Sequence, residues 1–155
     1  MLVTNYLPLS GLVAVAGSRH GSPWPVEPVL SAVAAAGGRV RVGDARGVDA
    51  AVRAAFPGAE VVRARGFPGL PKVALARRTR AVVLGPPLAD ALLVFPPEGG
   101  APELGPGSSL ALETALKAGL PVWVAGEPRP FGAVWRPHPV GGVPGWVYPG
   151  QQRLF

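Results

Sequence analysis

The chain has no cysteine among its 155 residues. That absence excludes disulfides, thiol nucleophiles and thiolate-bound metals. Its two histidines, His20 and His138, are far apart in sequence and give no metal-ligating spacing, so neither a metal nor a cofactor is expected. Charge is sparse, at 15% of residues against 48% apolar, which argues against a disordered chain. Long hydrophobic runs are missing too. Gly, Pro or Arg interrupts each run before it approaches the ~20 residues of a membrane helix. The opening residues, Met1 to Tyr6, lack the basic start and apolar stretch of a secretory leader. The expectation is a soluble cytoplasmic protein with one core and no membrane contact.

Lysine and asparagine are nearly absent as well. Of 15 basic residues 13 are arginine, there is one asparagine, and the formal net charge is +6. Two readings fit this balance. An arginine-rich surface favours polyanionic partners through phosphate contacts. A GC-rich genome or a heat-adapted organism also writes arginine for lysine and carries many prolines, here 20.

What the chain does have is a repeated pattern of apolar run, glycine turn and helix-like segment. Val13 to Ala16 leads into Gly17-Ser18-Arg19, and Val40 to Val42 leads into Gly43-Asp44-Ala45-Arg46-Gly47. Leu92 to Phe95 leads through a Pro/Gly loop to Gly107-Ser108-Ser109. The pattern predicts strands at Leu12–Ala16, Arg39–Val42, Glu60–Arg63, Asp90–Phe95 and Pro121–Ala125. Between them it predicts a helix opened by Ser22-Pro23 and closed at Gly37-Gly38, then helices over Gly47–Phe56, from Pro71 to about Leu84, and over Ser108–Ala118. Alternating β and α units with short connections imply an α/β fold. The expected form is an open sheet of five parallel strands in the order 3-2-1-4-5, with helices on both faces. Residues 1–126 form this Rossmann-like domain, and 127–155 a Pro/Gly/Trp-rich tail that packs back through Trp135, Trp146 and Tyr148. Residues 96–106 form a long loop, either a lid over a ligand or a passive insertion.

In such a sheet all three glycine turns gather at the carboxyl edge, where helix N-termini favour an anion. Gly17, Gly43, Gly47 and Gly107 would let backbone approach a phosphate. Ser18, Ser108 and Ser109 would offer hydroxyls, and Arg19 and Arg46 positive charge. Asp49 taken alone reads as a first-turn acid favoured by the helix dipole, and its place beside the turn adds it to the candidate phosphate site. Arg78, Thr79 and Arg80 read as a phosphate clamp or as a solvated basic face.

These blocks together resemble the SLOG superfamily, which groups DprA-like DNA-processing proteins with LOG-type nucleotide phosphoribohydrolases. Val13 to Arg19 resembles its first motif, and Gly43 to Ala50 its "Gly-Gly-Ala-x-Gly-Ile/Ala-Asp" turn. Arg78-Thr79-Arg80 with Leu88 to Val94 resembles its "Arg-Asn-Arg … Leu-x-Asp-x-x-x-Val" segment. Gly107-Ser108 through Val122 resembles its last Gly-Ser/Thr helix and the strand that follows. The resemblance spans residues 12–126 and implies a nucleotide or single-stranded DNA ligand, with a homodimer as a further expectation. Three positions depart from it: Asp44 replaces a glycine, Thr79 an asparagine, and Ala111 stands where the hydrolases carry a catalytic glutamate. The remaining carboxylates for a LOG-like activity are Asp49 and Glu113, and a non-catalytic binding protein is the favoured reading. The C-terminal Gln151-Gln152-Arg153-Leu154-Phe155 resembles the peptide by which replication proteins dock on the β sliding clamp, with Gln151, Leu154 and Phe155 as its anchors. That resemblance implies a DNA-linked adaptor role, while self-packing of Leu154 and Phe155 is the other reading.

Overall fold

Side chains alternate across a strand, and here that alternation sorts the apolar residues into two cores. The computed structural model describes residues 7–97, 104–127, 132 and 134–150. Strand β1 (Leu12–Gly17) sends Val13 and Val15 to one face and Ala14 to the other. The strands β2 (Arg39–Gly43), β4 (Ala91–Phe95) and β5 (Val122–Ala125) follow the same rule. Val40, Val42, Leu93, Phe95 and Trp123 share the face of Val13, whereas Leu92, Val94, Val122 and Val124 share that of Ala14. Helices α1 (Val26–Ala35) and α2 (Val48–Ala55) cover the first face, chiefly through Val29, Leu30, Val33 and Val52. Helices α3 (Pro71–Leu84) and α4 (Pro106–Lys117) cover the second with Val82, Val83, Leu112 and Ala115. Strands buried on both faces explain why the sequence reads as unbroken apolar runs.

With β3 (Glu60–Val62), β6 (Arg136–Pro137) and β7 (Gly145–Tyr148), the sheet has seven strands in the order β3-β2-β1-β4-β5-β7-β6. The expectation of a five-stranded, wholly parallel sheet is therefore corrected to a mixed one. Strands β1 to β5 pair in parallel, and β7 runs antiparallel to β5, with Trp123 opposite Val147 and Val124 opposite Trp146. The physical reason is edge protection. β5 is buried on both faces, and an uncovered edge would leave its backbone groups unpaired. Gly145 carries no Cβ because the Trp123 indole occupies that space. Trp135, buried, packs on Tyr148 at 5.7 Å between ring centroids.

Two local features differ from the sequence reading. The first helix does not open at Ser22-Pro23. It starts at Val26 behind Pro25, while the Ser22 hydroxyl donates to the Pro96 carbonyl at 2.5 Å and accepts the Trp24 N–H at 3.2 Å. Ser22 thus ties the first turn to the end of β4. Arg41, in the middle of β2, is fully buried and pairs with Glu60 of β3. It also donates to the carbonyls of Val82 (3.2 Å) and Pro87 (2.7 Å), anchoring the end of α3 beneath the sheet. Helices α1 and α4 do close on glycines, Gly37 at φ 80° and Gly119 at φ 76°, in the left-handed region that ends a helix. Among the described residues no helix is long and apolar enough to cross a membrane.

Candidate functional site

Parallel strands put the turns after β1, β2 and β4 on one edge, and β1 sits between β2 and β4, where the winding direction reverses. The first two turns are locked together there. Ser18 is buried; its N–H donates to the Phe95 carbonyl at 3.2 Å, and its Oγ accepts the His20 N–H at 3.1 Å. Its carbonyl accepts from Gly21 (3.1 Å) and from Val48, the first residue of α2 (2.9 Å). Gly17 lies against the Val48 side chain, and Gly47, at φ 74°, against the backbone of Ser18 and Arg19. These two glycines serve turn-to-turn packing, and the Ser18 backbone is engaged with β4 and α2 while its Oγ accepts within the turn.

The second turn is closed by its own charges. Asp44 forms an ion pair with Arg78 at 2.9 Å and accepts the Ala64 N–H at 3.2 Å. Burial pushes the Asp44 carboxyl up, but the Arg78 guanidinium and the Ala64 N–H outweigh it and hold the group below its ordinary value. Arg53 of α2 donates to the carbonyls of Gly43 (2.9 Å) and Ala45 (2.8 Å). Asp49 is buried and accepts the Ala45 N–H at 3.2 Å; burial raises its pKa, against the opposing pull of that N–H, Arg78 and Arg53. Gly43 sits beneath these groups, where a Cβ would stand 2.7 Å from Asp49 Oδ2. Asp44 therefore converts a stretch suited to an anion into an internally neutralised knot, and Arg78 is committed to it.

The third turn differs. Helix α4 starts behind Gly105 with no side-chain cap, and Pro106 occupies its first turn. A helix start leaves its first N–H groups without intrahelical partners. Pro106 has none to offer, and the Ser109 N–H donates to Gly105 at 2.9 Å, which leaves Gly107 and Ser108 at the open end. Gly107 is exposed, with no heavy atom within 4 Å of where a Cβ would be. Ser108 is 3% exposed, and its Oγ has no hydrogen-bond partner among the described residues. Buried hydroxyls are ordinarily partnered, so this orphan is the most unusual polar atom of the described residues.

The other sequence candidates are distributed around this centre. Arg19 and Arg46 are exposed on the first two turns, and Ser109 is exposed on α4. Thr79 is buried on α3, and Arg80 is exposed further along that helix. Glu113 is exposed and paired with Lys117 at 2.8 Å. Ala111 is buried in the second core, so no carboxylate occupies that helix position. Asp90 lies at the opposite edge of the sheet, where its carboxylate accepts the Leu12 N–H at 2.8 Å. Gln151, Leu154 and Phe155 lie outside the described residues. Among the described residues no three His, Asp or Glu side chains gather as a metal site.

Sequence reasoning missed Arg53 and the Asp44–Arg78 pair as closures of the second turn. The four-residue step from Asp49 to Arg53 was a usable signal, whereas Arg78 reaches Asp44 only through tertiary packing. It also missed a cavity of ≈ 210 Å³ between the starts of α1 and α2, bordered by Trp24, Glu27 and Val48. A second cavity of ≈ 410 Å³, lined by His20, Gly21, Ser22, Pro23 and Pro97, shares Gly21 and Ser22 with it. Comparison with known protein families, with curated proteins and with solved structures finds nothing that matches this chain.

Proposed function

We propose that this protein binds a phosphate-bearing ligand, a nucleotide or single-stranded DNA, at the carboxyl edge of a Rossmann-like sheet. The observation that carries the reading is the unpartnered, buried Ser108 hydroxyl at the uncapped start of α4. A phosphate oxygen there would accept from Ser108 Oγ and from the Gly107 and Ser108 N–H groups, and the helix dipole would favour its charge. The absence of any side chain at Gly107 gives a ligand access to that backbone. Arg19 and Arg46, exposed on the neighbouring turns, would supply the longer-range attraction. Arg78 has no part in this reading, because Asp44 holds it.

The SLOG-like residue pattern supports a role in DNA metabolism and a binding rather than a hydrolytic activity. Buried Ala111 offers no acid for glycosidic cleavage, and Glu113 is tied to Lys117 on the surface. The test is fluorescence anisotropy of a labelled single-stranded oligonucleotide across a salt series, with free nucleotides as competitors. Each arginine that neutralises a phosphate contributes ~0.7 to the slope of log affinity against log salt. Arg19→Ala is expected to lower affinity and reduce that slope by about 0.7. A folded Arg19→Ala, Ser108→Ala double variant that binds like the parent would overturn the assignment.

A further inference from the structure

We infer that the cleft between α1 and α2 is a nucleobase subsite, selective for bases that bear an exocyclic amine. This rests on the phosphate reading above and extends it to the other end of the ligand. The cavity has a volume of ≈ 210 Å³ and opens beside the loop that follows the first turn. Its walls are the half-buried Trp24 indole with Val26, Val48 and Ala51. The indole is backed by Gly126, where an added Cβ would sit 3.6 Å from the ring nitrogen. An indole and aliphatic residues in one lining suit a flat ring, and stacking on an aromatic side chain tolerates any base.

Charge decides which part of a nucleotide enters. Glu27, exposed in the first turn of α1, is the lone charged side chain lining the cleft among the described residues. A carboxylate repels phosphate and only accepts hydrogen bonds, so it selects an uncharged ring that donates. The exocyclic amines of adenine, cytosine and guanine present an N–H to it directly, whereas the one donor of thymine, its ring N3–H, lies between two carbonyl oxygens that the carboxylate repels. The Ser22 hydroxyl, also in the lining, is already committed to Pro96 and Trp24. The phosphate would point the other way, along the adjoining ≈ 410 Å³ cavity past His20 to Pro97, just beyond β4, the strand that precedes α4 in the chain. His20 lines that cavity, and Arg19, next to it in the chain, is exposed. The loop Gly21-Ser22, common to both linings, thus divides a cleft that carries Glu27 from one whose described lining has no carboxylate, matching the two ends of a nucleotide.

The experiment measures anisotropy of labelled dA, dC and dT oligonucleotides on the full chain, and thermal shifts with adenosine and thymidine monophosphates. The two arms distinguish a strand from a free nucleotide as the source of the base. The parent is expected to bind amine-bearing ligands about tenfold more tightly than thymine ligands, as a hydrogen bond to a charged acceptor allows. Glu27→Ala should erase that preference. Ala51→Leu, which adds bulk at an exposed helix position without touching the core, should weaken all bases about tenfold. If the parent binds every oligonucleotide and nucleotide equally, and both variants bind like it, the base subsite is wrong and the phosphate site stands. If the parent binds no oligonucleotide or nucleotide, both readings fail together.

Discussion

Replacing Ser108 by alanine should make the free protein more stable and the ligand-binding protein worse. The Ser108 hydroxyl is buried and unpartnered at the start of α4. A buried hydroxyl without a hydrogen bond costs about 1–3 kcal/mol in mutational series. Alanine keeps the Cβ, fills nearly the same space and favours the helix, so Ser108→Ala should recover the lower part of that range, ~1 kcal/mol. For a chain of this length that corresponds to a rise of about 2–4 °C in melting temperature. In the complex the same hydroxyl would donate to an anionic oxygen, a bond worth ~1.5–3 kcal/mol. Its loss should weaken binding about 10- to 100-fold. Urea unfolding measures the first effect, and the anisotropy titration measures the second on the same sample. Opposite signs in the two assays are the signature of a group held for a ligand. A fall in stability on Ser108→Ala would show that the hydroxyl has a partner in the free protein, and the reasoning would fail. A rise in stability with unchanged affinity would make it a packing atom only.

The two acids of the second turn should respond to pH in opposite senses. Against the push of burial, Arg78 and the Ala64 N–H hold the folded Asp44 carboxyl below its ordinary value, so its stabilisation is complete above about pH 4 and is lost as pH falls through the depressed value. Asp49 has a raised pKa, so its ionisation costs stability above that raised value, and the cost disappears in acid. Asp44→Asn should therefore lower the urea midpoint at pH 7 and converge on the parent in strong acid, while Asp49→Asn should cost nothing at pH 7; the reverse ranking would refute the account. The glycines should separate in the same way. Gly17→Ala would bring a Cβ to 2.5 Å from Val48 Cγ1 and should destabilise by ~1–3 kcal/mol through overpacking. Gly107→Ala meets nothing within 4 Å, so unfolding should be nearly unchanged while oligonucleotide affinity falls.

The sequence by itself determined the alternation of strand and helix, because strands buried on both faces must be written as short apolar runs. It determined where α1 and α4 end, since Gly37 and Gly119 occupy backbone conformations that side chains resist. It also determined that the three glycine turns share one edge, a consequence of parallel strands with helical returns. The start of α1 was not legible, because Ser22-Pro23 has the composition of a helix cap while its hydroxyl is drawn to Pro96 across the sheet. The two antiparallel strands of the tail were not legible either. Gly145–Tyr148 is short and Pro-flanked, and it pairs only because β5 presents an edge to it.

Tertiary structure alone decided which turn is available to a ligand. On the page of the sequence, Ser18, Arg78 and Ser108 are equivalent donors. Folding brings the Phe95 carbonyl to the Ser18 N–H and Asp44 to Arg78, while no described residue partners the Ser108 hydroxyl. Spacing along a chain fixes local geometry, but whether a donor is satisfied depends on residues tens of positions away.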